Sequence, residues 1–186
     1  MRAILWITGL ILLIVIGSIL IFGGGSKKAA PNSNALKPLP DYAQTSSNVN
    51  MTIDGTINGD DIHRQIRISV DQNQRVLDII QGYSGNIIDR HTFANTGDAY
   101  SVFLHALNNS GFLLTNKGVT ADYVGQCPTG DRYIFTLNQT GSTLATRWAS
   151  DCGSKVGNLA GDLPTLEGLF QNQITGYNDL TANVQL

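Results

Sequence analysis

Cys127 and Cys152 are the only cysteines in the chain, and they bracket a stretch that reads as one β-hairpin, CPTGDRYIFTLNQTGSTLATRWASDC. A covalent link across the open end of a hairpin ties its register to its loop, so this pair constrains the fold more tightly than any other feature. With NQTG, residues 138–141, as the loop, Phe135 lies opposite Leu144, Tyr133 opposite Thr146 and Leu137 opposite Ser142. Tyr133, Phe135, Leu137, Leu144 and Trp148 then share one side, and a one-residue slip scatters them. The same register sets Cys127 opposite Cys152, where a short Cα separation permits a disulfide. Closing that loop would contribute about 3 kcal/mol. A metal pair would need CxxC-type spacing or an adjacent histidine, and a catalytic thiol would need a base. His63, His91 and His105 all lie far off in sequence. The disulfide is therefore expected, and it points to an oxidising compartment.

This register also opposes Arg132 and Arg147 on the outer face. Like charges directly opposed are mildly destabilising. One resolution is an anionic partner held between them, such as a carboxylate, a phosphate or an acidic glycan. The other is that each arginine pairs with an acid such as Asp131 or Asp151, or faces water.

Upstream, the polarity alternates with period two. Val49, Met51 and Ile53 alternate with polar residues; Ile62, Ile66, Ile68 and Val70 share one parity, with Gln65, Arg67 and Ser69 on the other. DQNQ and GYSG are turns, flanking strands at residues 75–81 and 86–93, and such short connections imply antiparallel neighbours. The period then changes. Tyr100, Phe103, Leu104 and Leu107 form one helical face, with Asp98 as the expected N-cap and Gly111 as the stop. Leu166, Leu169, Phe170 and Ile174 predict a second helix, capped by Asp162 and ended by Gly176. Tyr177 and Leu180 are expected to pack back on the domain. The predicted fold is α+β: an antiparallel sheet of about six strands with one or two helices on one face, preceded by a single transmembrane helix.

That last element rests on residues 3–22, a run of 20 residues without a charge. As a helix it would be roughly 30 Å long, the thickness of a bilayer core. A cleaved signal peptide has a shorter apolar region, so an uncleaved single-pass anchor is the preferred reading, although Gly23 and Gly25 offer a small-x-small site. Lys27, Lys28 and Lys37 outnumber Arg2 and by themselves favour a cytoplasmic C-terminal side. The short basic head and the paired cysteines favour export, and the domain is expected outside the cytoplasm, at the cell surface. Residues 26–47 are rich in Gly, Ser, Asn and Pro and read as a tether. The expected organisation is anchor 1–25, linker 26–47 and domain 48–186.

Residues 1–44 carry a balance of +3 and the remainder −5. Nucleic-acid binding needs clustered Lys and Arg, which the acidic domain does not offer. Asp89 and His91 lie two apart on a strand and hence on one face; with Asp60, Asp61 and His63 they could form a metal site or an acid–base pair. Ile87 and Phe93 share their parity, so the face is mixed and solvated strand residues are the simpler reading. His105 falls off the apolar stripe of its helix. DGTINGDD, residues 54–61, has Asp54, Asn58 and Gly59 at calcium-loop positions, but Thr56 and Gln65 leave the charge low, and a turn at Asn58-Gly59 fits better. Sequons begin at Asn50, Asn108 and Asn138 and matter only in a eukaryotic secretory pathway. The sequence has no GxSxG, Walker loop, HExxH or GxGxxG, and no cofactor is expected.

QGYSGNII, AYSVFLHALNNSGF, CPTGDRYIFTL, and TRWASDCG followed by LEGLFQNQITGY together resemble single-pass membrane-anchored proteins of ultra-small candidate-phyla bacteria. The resemblance covers roughly residues 66–177. It implies a bacterial, surface-facing, anchored domain and supplies no catalytic residues. The expected function is a non-enzymatic surface binding or envelope interaction module, touching the bilayer through residues 3–22 and a protein or glycan through its domain. A small envelope enzyme or metal-binding domain using Asp89 and His91, and an accessory subunit of a larger membrane complex, are the alternatives.

Overall fold

The computed structural model describes residues 36–153 and 157–186. The anchor at 1–25 and residues 26–35 of the tether lie outside the described residues. Among those described, no helix is long and apolar enough to cross a membrane.

Six antiparallel strands form one sheet: β1 (Ser47–Asp54), β2 (Arg64–Val70), β3 (Gln74–Gln81), β4 (Asn86–Ala94), β5 (Arg132–Gln139) and β6 (Ser142–Ser150). Their spatial order is β4-β3-β2-β1-β5-β6. The first four strands are a meander, as their short polar turns dictate. The chain then crosses the sheet through helix α1 (Gly97–Asn109), and β5 pairs with the free side of β1. After the β5–β6 hairpin, α2 (Leu163–Gln171) and the short α3 (Tyr177–Thr181) return to the same face.

Period two sets most of the apolar strand residues on one face. Val49, Met51, Ile53, Ile66, Ile68, Val70, Leu77 and Ile79 point to one face, where they meet Tyr100, Phe103, Leu104 and Leu107 of α1 and Leu166 and Phe170 of α2. Phe103 meets Phe170 edge-on with ring centroids 5.2 Å apart, and Phe112 meets Phe135 at 6.0 Å. Such edge-to-face contacts add about 0.5–1.5 kcal/mol each beyond the area they bury. The α+β architecture and the apolar stripes of both helices are as the periodicity predicts. Tyr177 and Leu180 also pack against this core.

Four local expectations change. The N-cap of α1 is Thr96, whose hydroxyl accepts from the Ala99 amide, and Asp98 sits in the first turn, where it favours the positive end of the helix. Helix α2 is capped by Asp162 as expected but ends at Gln171; Gly176, at φ +74°, instead opens α3. Leu39, Tyr42 and Ala43 are buried in the core, and the Leu39 amide donates to Asn108 Oδ1. The domain therefore begins before residue 48, and the last part of the expected tether is packed chain.

The fourth change is the hairpin register. Phe135 pairs with Arg147, Tyr133 with Ala149 and Ile134 with Trp148, three residues away from the expected alignment. The turn is the two-residue Thr140-Gly141, with both residues at positive φ (+50° and +78°), which matches the twist of a hairpin. A bulge after Leu137 leaves Leu144 as the extra residue, more than a third exposed. Trp148 consequently lies on the face opposite Phe135, where the loop before β5 covers it and its Nε1 donates to the Thr120 carbonyl.

Candidate functional site

The disulfide between Cys127 and Cys152 is present, with a Cα separation of 5.6 Å. It is not a cross-strand pair of the ladder. Cys127 lies before β5 with φ +46°, a turn links Gly130 N to its carbonyl, and the Asp131 amide donates to Asp151 Oδ1 at 2.8 Å. The extra turn takes up the three-residue shift in register, so the cysteines meet although the ladder is offset.

The same shift separates the two arginines. Arg132 pairs with Ser150 on one face of the sheet, while Arg147, opposite Phe135, points to the helix-covered face. There its Nε and Nη2 donate to the Leu113 carbonyl, and burial lowers its affinity for a proton. Arg132 and Arg147 do not oppose each other, so the anion-bridged resolution of that pair lacks its geometry, and Arg132 pairs with an acid instead.

Arg132 belongs to a buried cluster on the open face. Its Nε and Nη2 donate to Asp54 Oδ2 at 2.9 and 2.7 Å, and it also holds the carbonyls of Gly55, Gln126 and Cys127. Asp54 Oδ1 lies 2.9 Å from His63 Nε2, and the His63 ring stacks on Tyr83 at 4.1 Å. Arg132 and His63 are both buried, so this cluster knits the end of β1 to β5 and to the loop before β2. Asp54 is therefore an ion-pair partner inside the domain, which leaves its place in the calcium-loop pattern unused.

Two strands away, in the neighbouring row of the same face, a second carboxylate is held differently. Asp78 on β3 accepts from Arg67 on β2 at 2.7 Å and from Arg90 on β4 at 2.6 and 3.0 Å. Burial by itself would raise the Asp78 carboxyl; the hydrogen bonds from Arg90 and Arg67 outweigh it and hold the group below its ordinary value. The same contact pushes Arg90 up. Here the arginines remain accessible, with side chains 35 % and 53 % exposed.

Around these clusters the open face is a lattice of amides and hydroxyls. Asn50 Nδ2 donates to Thr136 Oγ1, Asn138 Nδ2 to Asn48 Oδ1, and Thr143 Oγ1 to Asn138 Oδ1. Two depressions lie on it and share Arg67. One, of about 240 Å³, is lined by Arg67, Asp78 and Arg90 and, further along, by Ser69, Val76 and Thr92. The other, of about 330 Å³, lies between the β1–β5 lattice and Tyr123 of the loop before β5. Sequence reasoning places Arg67 on the polar parity but does not single out Asp78 or Arg90, and it considers Asp54 only as part of a calcium-loop pattern. A signal existed for the first three: one charged residue at an alternate position on each of three consecutive strands, with signs that complement.

Asp89 and His91 do meet, with His91 Nε2 3.0 Å from Asp89 Oδ2 on the edge strand β4. A bulge at Ile79/Ile80 sets Ile87 opposite Ile80, so Ile87 leaves the face that Asp89 occupies. Asp60, Asp61 and His63 do not join them. Among the described residues, the one group of three metal-type ligands within reach of a common ion is Cys127, Asp151 and Cys152, and its two sulfurs are bonded to each other. His105 is exposed on α1. No protein-family model, curated protein or solved structure matches this chain.

Proposed function

We propose that this chain is a membrane-anchored, non-enzymatic binding protein whose domain stands outside the cytoplasm and engages its partner through the open face of the sheet. The observation that carries this reading is the contrast between the faces: one closed by helices, the other presenting half-buried polar side chains around carboxylates already fixed by arginine. Preorganised polar groups lose little freedom when a partner arrives, and a partner then gains most from them. The uncharged run at residues 3–22 supports the anchor, and the disulfide supports an oxidising space.

Photo-crosslinking in intact cells tests this. A diazirine side chain at Ser69 or Asn138, on the open face, should give adducts that the same group at Val102, on the exposed side of α1, does not. Equal adducts from both faces, or none from either, would remove the proposal. One stoichiometric protein adduct would favour an accessory subunit of a larger complex. The Asp89–His91 contact is the observation that keeps a small-enzyme reading in view. That reading requires a metal-dependent activity abolished by alanine at either position; a change in stability alone would end it.

A further inference from the structure

We infer that the depression between Tyr123 and the β1–β5 lattice is a seat for an uncharged sugar. This rests on the binding-protein reading and names the ligand class for its open face.

Size comes first. A volume of about 330 Å³ is at the lower end for small-molecule sites, roughly 300–1,000 Å³. Charge comes second. The charged side chains lining it are Asp54 and Arg67, and both are already paired: Asp54 with Arg132 and His63, Arg67 with Asp78. An anion would have to compete with Asp78 for Arg67, and a cation would have to compete with Arg132 for Asp54. A neutral ligand disturbs neither pair.

Hydrogen-bonding capacity is the third observation. Among the described residues, Asn50 Oδ1 is buried without a partner, while its Nδ2 is committed to Thr136. A buried acceptor left unsatisfied costs about 1–3 kcal/mol, and a turn of this amide towards the depression would let a ligand's donor recover that. The amide of Asn138 is engaged at both ends, so it holds the lattice rigid. Thr52 and Gln65 add a hydroxyl and an amide to the lining. A sugar hydroxyl both donates and accepts, which suits a surface of this mixture.

The apolar part is small and one-sided. Tyr123 and Ile134 are the lining residues that could meet the C–H face of a sugar ring. The loop carrying Tyr123 is pinned by Trp148 Nε1 to the Thr120 carbonyl and by turns at Asp122 and Gln126. A protein partner would instead call for an apolar pocket deep enough to bury an aromatic or arginine anchor.

The test uses the full chain in detergent micelles on a printed array of neutral and acidic oligosaccharides, followed by calorimetry with the best neutral binder. Tyr123→Ala and Asn50→Val should each weaken binding at least tenfold, and His105→Ala on α1 should leave it unchanged. Asn50 lies in a central strand, so unfolding midpoints accompany its variant; Tyr123 lies in a loop and carries the test should Asn50→Val not fold. Binding confined to acidic glycans, or neutral binding insensitive to Tyr123, overturns the inference. No glycan binding, with crosslinks still mapping to Ser69 and Asn138, overturns the sugar and leaves the binding-protein reading standing. Neither glycans nor crosslinks would sink both.

Discussion

Asp54 and Asp78 lie on the same face of the same sheet, and each is held by arginine, yet their surroundings differ. The partners of Asp54 are as buried as the carboxylate itself. The partners of Asp78 are half in water. A buried pair is costly to assemble and costlier to break, because removing one charge strands the other away from solvent. A pair with exposed arginines breaks more cheaply, because the freed guanidinium groups are rehydrated. The Asp54 cluster is thus suited to holding strands together, and the Asp78 cluster to presenting charge-fixed arginine to a partner.

The largest effect should come from Asp54→Asn. It keeps the shape but leaves Arg132 buried without its counter-charge, and the expected loss is about 3–5 kcal/mol. Urea unfolding would show a lower midpoint at unchanged slope. A loss below 1 kcal/mol would mean that Arg132 finds water, and the contrast with Asp78 would collapse. Next is the disulfide. Cys127→Ser with Cys152→Ser should cost about 3 kcal/mol. Arg132 also holds the carbonyls of Gln126 and Cys127, so the bridge and the Asp54 cluster share a loop. A double-mutant cycle should therefore find coupling between the cysteine pair and Asp54→Asn, and additivity with Asp78→Asn.

Asp78→Asn should cost less, about 1–2 kcal/mol after allowing for solvent around both arginines. Its pH dependence has a definite sign. The folded carboxyl is held below its ordinary value of 3.8, so its contribution is full above 3.8 and is lost as pH falls through the folded value. Wild type and Asp78→Asn should converge in strong acid. Divergence there would mean that the asparagine perturbs packing and not charge.

These clusters also show what a sequence makes legible. The β1–β4 meander could be read because the β2–β3 and β3–β4 turns are short and the apolar residues of β1 and β2 alternate. The β5–β6 register could not be read from the same rule. Trp148 is large and apolar, which by pattern alone aligns it with Phe135, but it is buried from the other side by a loop with no periodic pattern of its own. The Arg132–Asp54 pair is separated by 78 positions and is brought together only by β1–β5 pairing, a contact no local pattern announces. Arg67, Asp78 and Arg90, by contrast, sit on consecutive strands and needed only the meander register to be connected. The cysteines do pair, but through a turn at residues 127–130 and not by strict ladder alignment.

A third aspartate sharpens the comparison by reversing its sign. Asp131 has no ion-pair partner among the described residues. Burial raises its carboxyl, repulsion from Asp151 adds to that, and Arg132 opposes both only at longer range. The folded state therefore holds this proton more tightly than the unfolded chain does, and stability falls as pH rises from 3.8 through the folded value. Asp131→Asn should then stabilise the domain at neutral pH by about 0.5 kcal/mol, the scale of a modest substitution outside the core. The gain should vanish on acidification, where the wild-type carboxyl is protonated and resembles the amide. Thermal unfolding of the two proteins at neutral pH and in mild acid measures both parts. A variant less stable than wild type at neutral pH would mean that Asp131 is held by Arg132 after all, which would place it with Asp54.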